Sequence, residues 1–292
     1  MKLTSVDLAY VHVDVFSQSP FGGNSLPVFP DARDLSAQQM QRITAEMRHF
    51  EAIFLEQTSQ PATVDARIFD LFEELPFAGH PVIGAAAVMH KRSGADGAQN
   101  WRFQLPGKTV EITTEVTAGR YSGLLDQGAP QFLGTTGDRR GIAAAFSLTP
   151  PDLASDLPME VVSTGLRYLI VPVRPGVLGR ARIARDITAL LRGSDAQFAV
   201  LLDESALEVR HWNNDGIIED VATGSAAGTI GAYRLRHGLV RGGDSFILNQ
   251  GQFTGRPSKL RVLPEGTANR VETVKVGGDV AFVGHGVLEA LP

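Results

Sequence analysis

Apolar and polar residues alternate along residues 8–16 (Val11-His12-Val13-Asp14-Val15-Phe16), which predicts a strand. Pro20-Phe21-Gly22-Gly23-Asn24 predicts a turn, and the strand pattern resumes over 26–29. Residues 36–48 carry a helical pattern with Ser36 as its N-cap. Strands are predicted over 52–55 and 64–72, followed by a buried helix over 81–91. Pro81 suits the first turn of that helix, and Gly84, Ala85, Ala86 and Ala87 permit close packing. Residues 101–105, 110–114 and 119–125 predict an antiparallel meander, and 129–141 a crossing to a second lobe. The second half repeats the order. Strands are predicted over 159–162, 168–173, 198–202 and 208–212, with helices over 187–191 and 224–237. Strands over 246–249, 259–263, 271–276 and 280–287 close the chain. Many short strands around one central helix per half predict an α+β fold.

Two matching blocks sit half a chain apart. The first is Glu74-Leu75-Pro76-Phe77-Ala78-Gly79-His80-Pro81, and the second is Glu219-Asp220-Val221-Ala222-Thr223-Gly224-Ser225-Ala226. Gly79 aligns with Gly224, 145 residues on, against 146 for half the chain. In both blocks a Glu lies five residues before the Gly, and an Arg (Arg67, Arg210) opens the strand before that Glu. Each block reads as strand, short loop and helix start, so two similar lobes are expected, 1–128 and 129–292. Their central helices are expected near 80–91 and 224–237, with the last strand crossing back to the first lobe. Each lobe is expected to aim a helix N-terminus at the space between them. A helix start carries unpaired N–H groups and partial positive charge, and two such ends would hold a small anion such as a carboxylate. Glycine lets the backbone approach a ligand, which makes Gly79 and Gly224 candidate binding positions beside His80, Asp220 and Ser225. For either block alone the plainer expectation is that Asp220 and Ser225 cap a helix and that His80 is structural; the repetition shifts the balance to a site.

Composition narrows the function. With 43% hydrophobic and 20% charged residues over 292 positions, the chain suits a soluble two-domain protein with a large core. A net charge of −5 argues against nucleic acid, which needs a basic face. No run approaches the ~18–20 apolar residues of a membrane span. Met1 to Asp7 lacks the apolar core of a secretion signal, so a cytoplasmic protein is expected. The chain has no cysteine, which excludes disulfides, thiolate nucleophiles, cysteine metal sites and racemases with two opposed thiols. Acid–base work falls to carboxylates or histidine. The seven histidines show no metal-ligand spacing on one helix face, so no metal is expected. Dinucleotide, phosphate-loop and His-Glu-x-x-His motifs are absent, and Thr223-Gly224-Ser225-Ala226-Ala227-Gly228 departs from a serine nucleophile elbow.

One carboxylate has neighbours that would desolvate it, although this signal alone does not pick it from the chain's other acidic residues. Glu51 follows His49-Phe50 at the end of the predicted helix and precedes the apolar Ala52-Ile53-Phe54-Leu55. A carboxylate wedged among such residues is desolvated, which favours its protonated form and suits it to exchange protons near neutral pH. A solvent-facing Glu at a helix–strand junction is the plainer alternative.

The chain resembles the PhzF-like phenazine-biosynthesis isomerase family, which shares the diaminopimelate epimerase fold. The resemblance runs through Val13-Asp14-Val15-Phe16 with Gly23-Asn24, Glu51-Ala52-Ile53-Phe54, Arg67-Ile68-Phe69 with 74–81, and Asp126-Gln127. It continues through Glu219-Asp220 with 223–226 and Gln250-Gly251 with Gly255-Arg256-Pro257-Ser258. It implies two pseudo-symmetric lobes, each a curved, mostly antiparallel half-barrel sheet around a central helix, with the active site between them. It also implies a homodimer, no cofactor and a small carboxylate as substrate. In the family's activity on trans-2,3-dihydro-3-hydroxyanthranilate, a glutamate takes a proton from one carbon and returns it to another on the same face. Glu51 matches that glutamate. His80 and Asp220 match residues that hold polar groups and assist proton movement; Gly79, Gly224 and Ser225 match ligand-binding positions, and Asn24 borders the site. Phe50 stands where the family commonly has Ser, Asp70-Leu71 where it has Thr-Pro, Val221 where it has Pro after Asp, and Ser25 where it has Pro after Asn. The expected function is a cofactor-independent isomerase acting on an unsaturated cyclic or amino-bearing carboxylate. An epimerase or tautomerase, or a non-enzymatic ligand-binding protein, are the alternatives.

Overall fold

A computed structural model of the chain describes residues 7–292. The expectation drawn from the first residues falls on 1–6, outside the described residues. The chain divides into two compact units, Met1–Asp126 with Gly277–Pro292, and Gln127–Val276.

The first unit contains β1 (Leu8–Val15), β2 (Asn24–Phe29), α1 (Ala37–Met47), β3 (Glu51–Gln57), β4 (Thr63–Asp70), β5 (Glu74–Leu75), α2 (Gly79–Ser93), β6 (Gly97–Leu105), β7 (Lys108–Thr117) and β8 (Arg120–Asp126). The second contains β9 (Gln131–Thr136), α3 (Arg139–Ala145), β10 (Met159–Ser163), β11 (Arg167–Pro172), α4 (Thr188–Arg192), β12 (Phe198–Asp203), β13 (Glu208–Trp212), β14 (Glu219–Asp220), α5 (Gly224–Arg236), β15 (Phe246–Gln250) and β16 (Ser258–Thr267). The last strand, β17 (Arg270–Leu288), belongs to both.

In the first unit β1 pairs antiparallel with β2, β2 runs parallel to β3, β3 is antiparallel to β4, and β4 runs parallel to β6. The ladder continues antiparallel through β7 to β8, then reaches β17, which pairs antiparallel with β1. The strands thus return on themselves around α2, which packs against β1, β2, β3, β6, β7 and β8. Every residue of α2 from His80 to His90 is buried. Its small side chains make that enclosure possible: a Cβ on Gly84 would lie 2.6 Å from Leu26 Cδ2 and 3.0 Å from Val15 Cγ2. Outside the sheet, α1 is closed by a capping box between Ser36 and Gln39 and covers Phe29, Phe54 and Phe69.

The second unit repeats the plan. β10 and β11 pair antiparallel, β11 runs parallel to β12, β12 is antiparallel to β13, and β13 runs parallel to β15. α5 packs against β10, β11 and β16 and is buried from Ala226 to Leu235. The fold is α+β, a mixed sheet wrapped round one helix in each unit.

Three expectations need correction. Residues 129–141 are not a bare crossing: 131–136 pair antiparallel with β10, and α3 begins at Arg139, where Asp138 caps its start. The two final strands are one, because Gly277 and Gly278 continue β17 instead of breaking it. A Cβ at Gly277 would collide with the Gly123 carbonyl, so the small residue serves close pairing with β8. Finally, α1 stops at Met47 with Arg48 left-handed (φ 59°), so His49 and Phe50 lie in a bend between helix and strand. Among the described residues no helix is long and apolar enough to cross a membrane.

Candidate active site

The two helix starts are built alike. In the first unit Arg67 Nε donates to Glu74 Oε1 at 2.7 Å and Nη2 to Oε2 at 2.6 Å. In the second, Arg210 makes the same fork to Glu219 at 2.8 and 2.6 Å. The strand registers also match: Phe69 faces Glu74, and Trp212 faces Glu219. Each guanidinium lies over the aromatic ring two residues on, Arg67 over Phe69 at 5.3 Å and Arg210 over Trp212 at 4.3 Å. A planar fork holding both carboxylate oxygens fixes orientation as well as distance. The clamp therefore sets where the chain turns into α2 and α5.

At the start of α2, Glu51 and His80 come together. Glu51 opens β3 and pairs across with Asp70, while His80 is the second residue of the helix. His80 Nδ1 lies 3.2 Å from Glu51 Oε2, with side-chain exposures of 9% and 19%. Glu51 is thus mostly withdrawn from solvent, beside the buried Ala52 and Ile53. Gly79 begins the helix after Ala78, whose side chain supplies no cap. A Cβ at Gly79 would meet only Leu125 at 3.8 Å, so packing does not demand glycine there. Asn24 opens β2 and is 2% exposed. Asp70 Oδ1 accepts the Phe72 and Glu73 backbone N–H groups at 2.6 Å each, so this carboxylate shapes its own turn. Phe50 is 40% exposed beside Glu51 in the chain.

In the second unit Asp220, Gly224 and Ser225 share one loop and helix start. Neither Asp220 nor Ser225 caps α5. Asp220 Oδ2 accepts from Thr223 Oγ1 at 2.6 Å and Oδ1 from the Ala222 N–H at 3.2 Å, which holds the loop before the helix. The Gly224 carbonyl accepts from Gln127 Nε2 at 2.9 Å. Ser225 Oγ meets the Tyr168 hydroxyl at 2.8 Å. Tyr168 is fully buried, its ring 5.5 Å from Phe198 and edge-on to His211 at 5.4 Å. His211 Nδ1 donates to the Ala199 carbonyl at 2.9 Å. Burial pushes the His211 pKa down, against the opposing pull of the Asp220 charge, so this imidazole is neutral near pH 7.

Tyr168, Gln127 and the Arg–Glu forks are the residues that sequence reasoning did not assign to the site. The forks had a signal, since Arg67, Glu74, Arg210 and Glu219 stood out in the repeat. Tyr168 had none, lying 57 residues from Ser225. Among the described residues no group of three or more His, Cys, Asp or Glu side chains is gathered as for a metal ion.

The comparisons agree on one family. The sequence pattern of the phenazine biosynthesis-like proteins (PhzC-PhzF) matches residues 13–286. A trans-2,3-dihydro-3-hydroxyanthranilate isomerase of Pseudomonas chlororaphis is 32% identical over 96% of this chain and 98% of its own. The solved structure of a "predicted epimerase" from Pseudomonas aeruginosa is 43% identical and superposes with a TM-score of 0.88 over 96% of this chain and 99% of that one. A hydroxyproline epimerase from Agrobacterium vitis shares the fold alone, at 14% identity and a TM-score of 0.61 over 98% of this chain and 94% of that one. With these matches over a common architecture, the chain belongs to the phenazine biosynthesis-like PhzC-PhzF family and is an isomerase on its epimerase-like scaffold.

Proposed function

We propose that the protein moves a proton within a small unsaturated cyclic or amino-bearing carboxylate, without a cofactor, and that Glu51 is the group that takes and returns it. The observation that carries this reading is the Glu51–His80 pair at the start of α2, 3.2 Å apart and largely shielded from water. A carboxylate shielded in this way and placed beside a neighbouring imidazole meets the geometric need of a general base that later acts as acid. His80 orients it. Asp220, fixed through Thr223 and Ala222, and the Gly79, Gly224 and Ser225 positions are assigned to holding the substrate's polar groups, with Asn24 at the border.

The internal repeat favours one base over two. Phe54 faces Arg67 on β4, and Leu201 faces Arg210 on β13. Counting three residues back along each strand reaches Glu51 in the first unit and Phe198 in the second. By the same alignment Ser225 stands for His80. A two-base epimerase reading has no second carboxylate at the corresponding place, and Asp220 is already engaged by its own loop. Proton transfer by one carboxylate on one face is the better supported chemistry.

The test is incubation of the purified protein with trans-2,3-dihydro-3-hydroxyanthranilate in deuterated water, followed by proton NMR with nothing else added. The reading predicts conversion to an isomer with deuterium at no more than one ring carbon, its amount reporting how far Glu51 exchanges with solvent before returning the proton. No conversion by folded protein would contradict this substrate and direct the search to other small carboxylates.

A further inference from the structure

Three side chains from three segments meet beside the start of β3. Ser25 stands on β2, His12 on β1, and His49 in the bend after α1. Ser25 Oγ lies 2.7 Å from His12 Nε2 and 2.9 Å from His49 Nδ1. The two rings meet edge to face with centroids 4.9 Å apart. All three residues are half-buried.

A serine hydroxyl has one proton to give and lone pairs to accept with, so it serves both rings best by donating to one and accepting from the other. If it donates to His12 Nε2, the His12 proton sits on Nδ1 and His49 donates through Nδ1–H. If it donates to His49 Nδ1, the His49 proton sits on Nε2 and His12 donates through Nε2–H. In either case the two rings, when neutral, carry the same tautomer.

This cluster adds a side-chain tie just before the β3–β4 ladder begins at Glu51 and Asp70. Arg48 is left-handed, and His49 and Phe50 belong to neither helix nor strand. Phe50 is 40% exposed, so burial does not anchor the bend. The parallel ladder between β2 and β3 runs from Val28 facing Ile53 to Phe29 facing Phe54, beyond the level of Glu51. At the height of residue 49, the His49–Ser25 hydrogen bond ties the bend to β2. The next residue but one is Glu51.

We propose that Ser25, clasped between His12 and His49, is a positioning residue that fixes the approach of the chain to Glu51. The inference rests on Glu51 being the base, as argued above. Ser25 is assigned to act through the backbone at His49 and not on the reacting atoms.

The test uses the full chain as wild type, Ser25→Ala, Ser25→Thr and His49→Gln. Two-bond nitrogen–proton spectra should show matching tautomers for His12 and His49 in the wild type. Hydrogen exchange of amides 48–52 should rise about tenfold in Ser25→Ala and His49→Gln, as expected for losing one or two neutral hydrogen bonds. Ser25→Thr, which keeps the hydroxyl, should restore protection. In turnover, Ser25→Ala should lower kcat about tenfold to a hundredfold with KM within about twofold, because a misplaced base costs rate and not binding. Opposite tautomers in the two rings, or unchanged exchange at 48–52 in Ser25→Ala, would overturn the proposal. Full turnover in Glu51→Gln together with loosened 48–52 in Ser25→Ala would instead overturn the base assignment and leave the clasp standing.

Discussion

His80 and Ser225 occupy equivalent places at the second residue of the two central helices, yet they are held by different partners. His80 is beside a carboxylate, and Ser225 is beside a phenol. Either hydroxyl can donate in the Tyr168–Ser225 bond; with the phenol as donor, the Ser225 proton is available to a bound anion. Tyr168→Phe keeps the ring between Phe198 and His211 and deletes the hydroxyl that meets Ser225. It should raise KM about fivefold, the equivalent of about 1 kcal/mol, while the melting temperature stays near the wild-type value. An unchanged KM in steady-state kinetics would remove Ser225 from the binding role. Glu51 was legible through the family resemblance, because its apolar neighbours alone did not set it apart from the chain's other acidic residues. Its contact with His80, and those of Ser25 and Tyr168, were not, since they depend on which strands lie side by side. Ser25 reaches partners 13 and 24 residues away, one on the neighbouring strand β1 and one in the bend after α1.

At the level of elements, the Arg–Glu forks and the small-residue faces of the central helices do most of the positioning. The two forks share geometry but not environment. Arg210 and Glu219 are 10% and 14% exposed, whereas Arg67 and Glu74 are 35% and 29%. Arg210 also donates to the Leu178 and Ala181 carbonyls and lies between Trp212 and Phe253. Removing one partner of a buried pair strands the other charge. Arg210→Ala should therefore cost about 3–5 kcal/mol in urea denaturation, and Arg67→Ala about 1 kcal/mol or less. Equal losses would contradict the difference in burial. Gly84→Ala places a methyl against Leu26 and Val15 in a closed core, and should destabilise by about 1–3 kcal/mol by the same method. The periodic pattern was enough to find α1, α2, α5 and most strands, because each has one clear period and a recognisable start. It missed β9 and α3, whose exposed and short faces carry little periodicity, and it split β17 at Gly277-Gly278, where glycine marks close strand approach and not an end.

For the whole molecule, a chain without cysteine has built an isomerase scaffold in which the first unit pairs Glu51 with His80 and the second sets Phe198 and Ser225 in the same positions. The repeat was visible in the sequence because both helix starts carry the same Glu-x-x-x-x-Gly spacing; the asymmetry was hidden because Phe198 has no local mark. The family resemblance also carries the proposal of a homodimer, for which sedimentation should give twice the 31.3 kDa chain mass; a monomer at micromolar concentration would count against it. The central claim is that Glu51 moves the proton. The most direct measurement is the deuterium NMR assay on trans-2,3-dihydro-3-hydroxyanthranilate with wild type and Glu51→Gln side by side, alongside a binding titration of each. The account predicts that Glu51→Gln binds nearly as well and turns over about a hundredfold more slowly, or less. Turnover at the wild-type rate in that variant would contradict it.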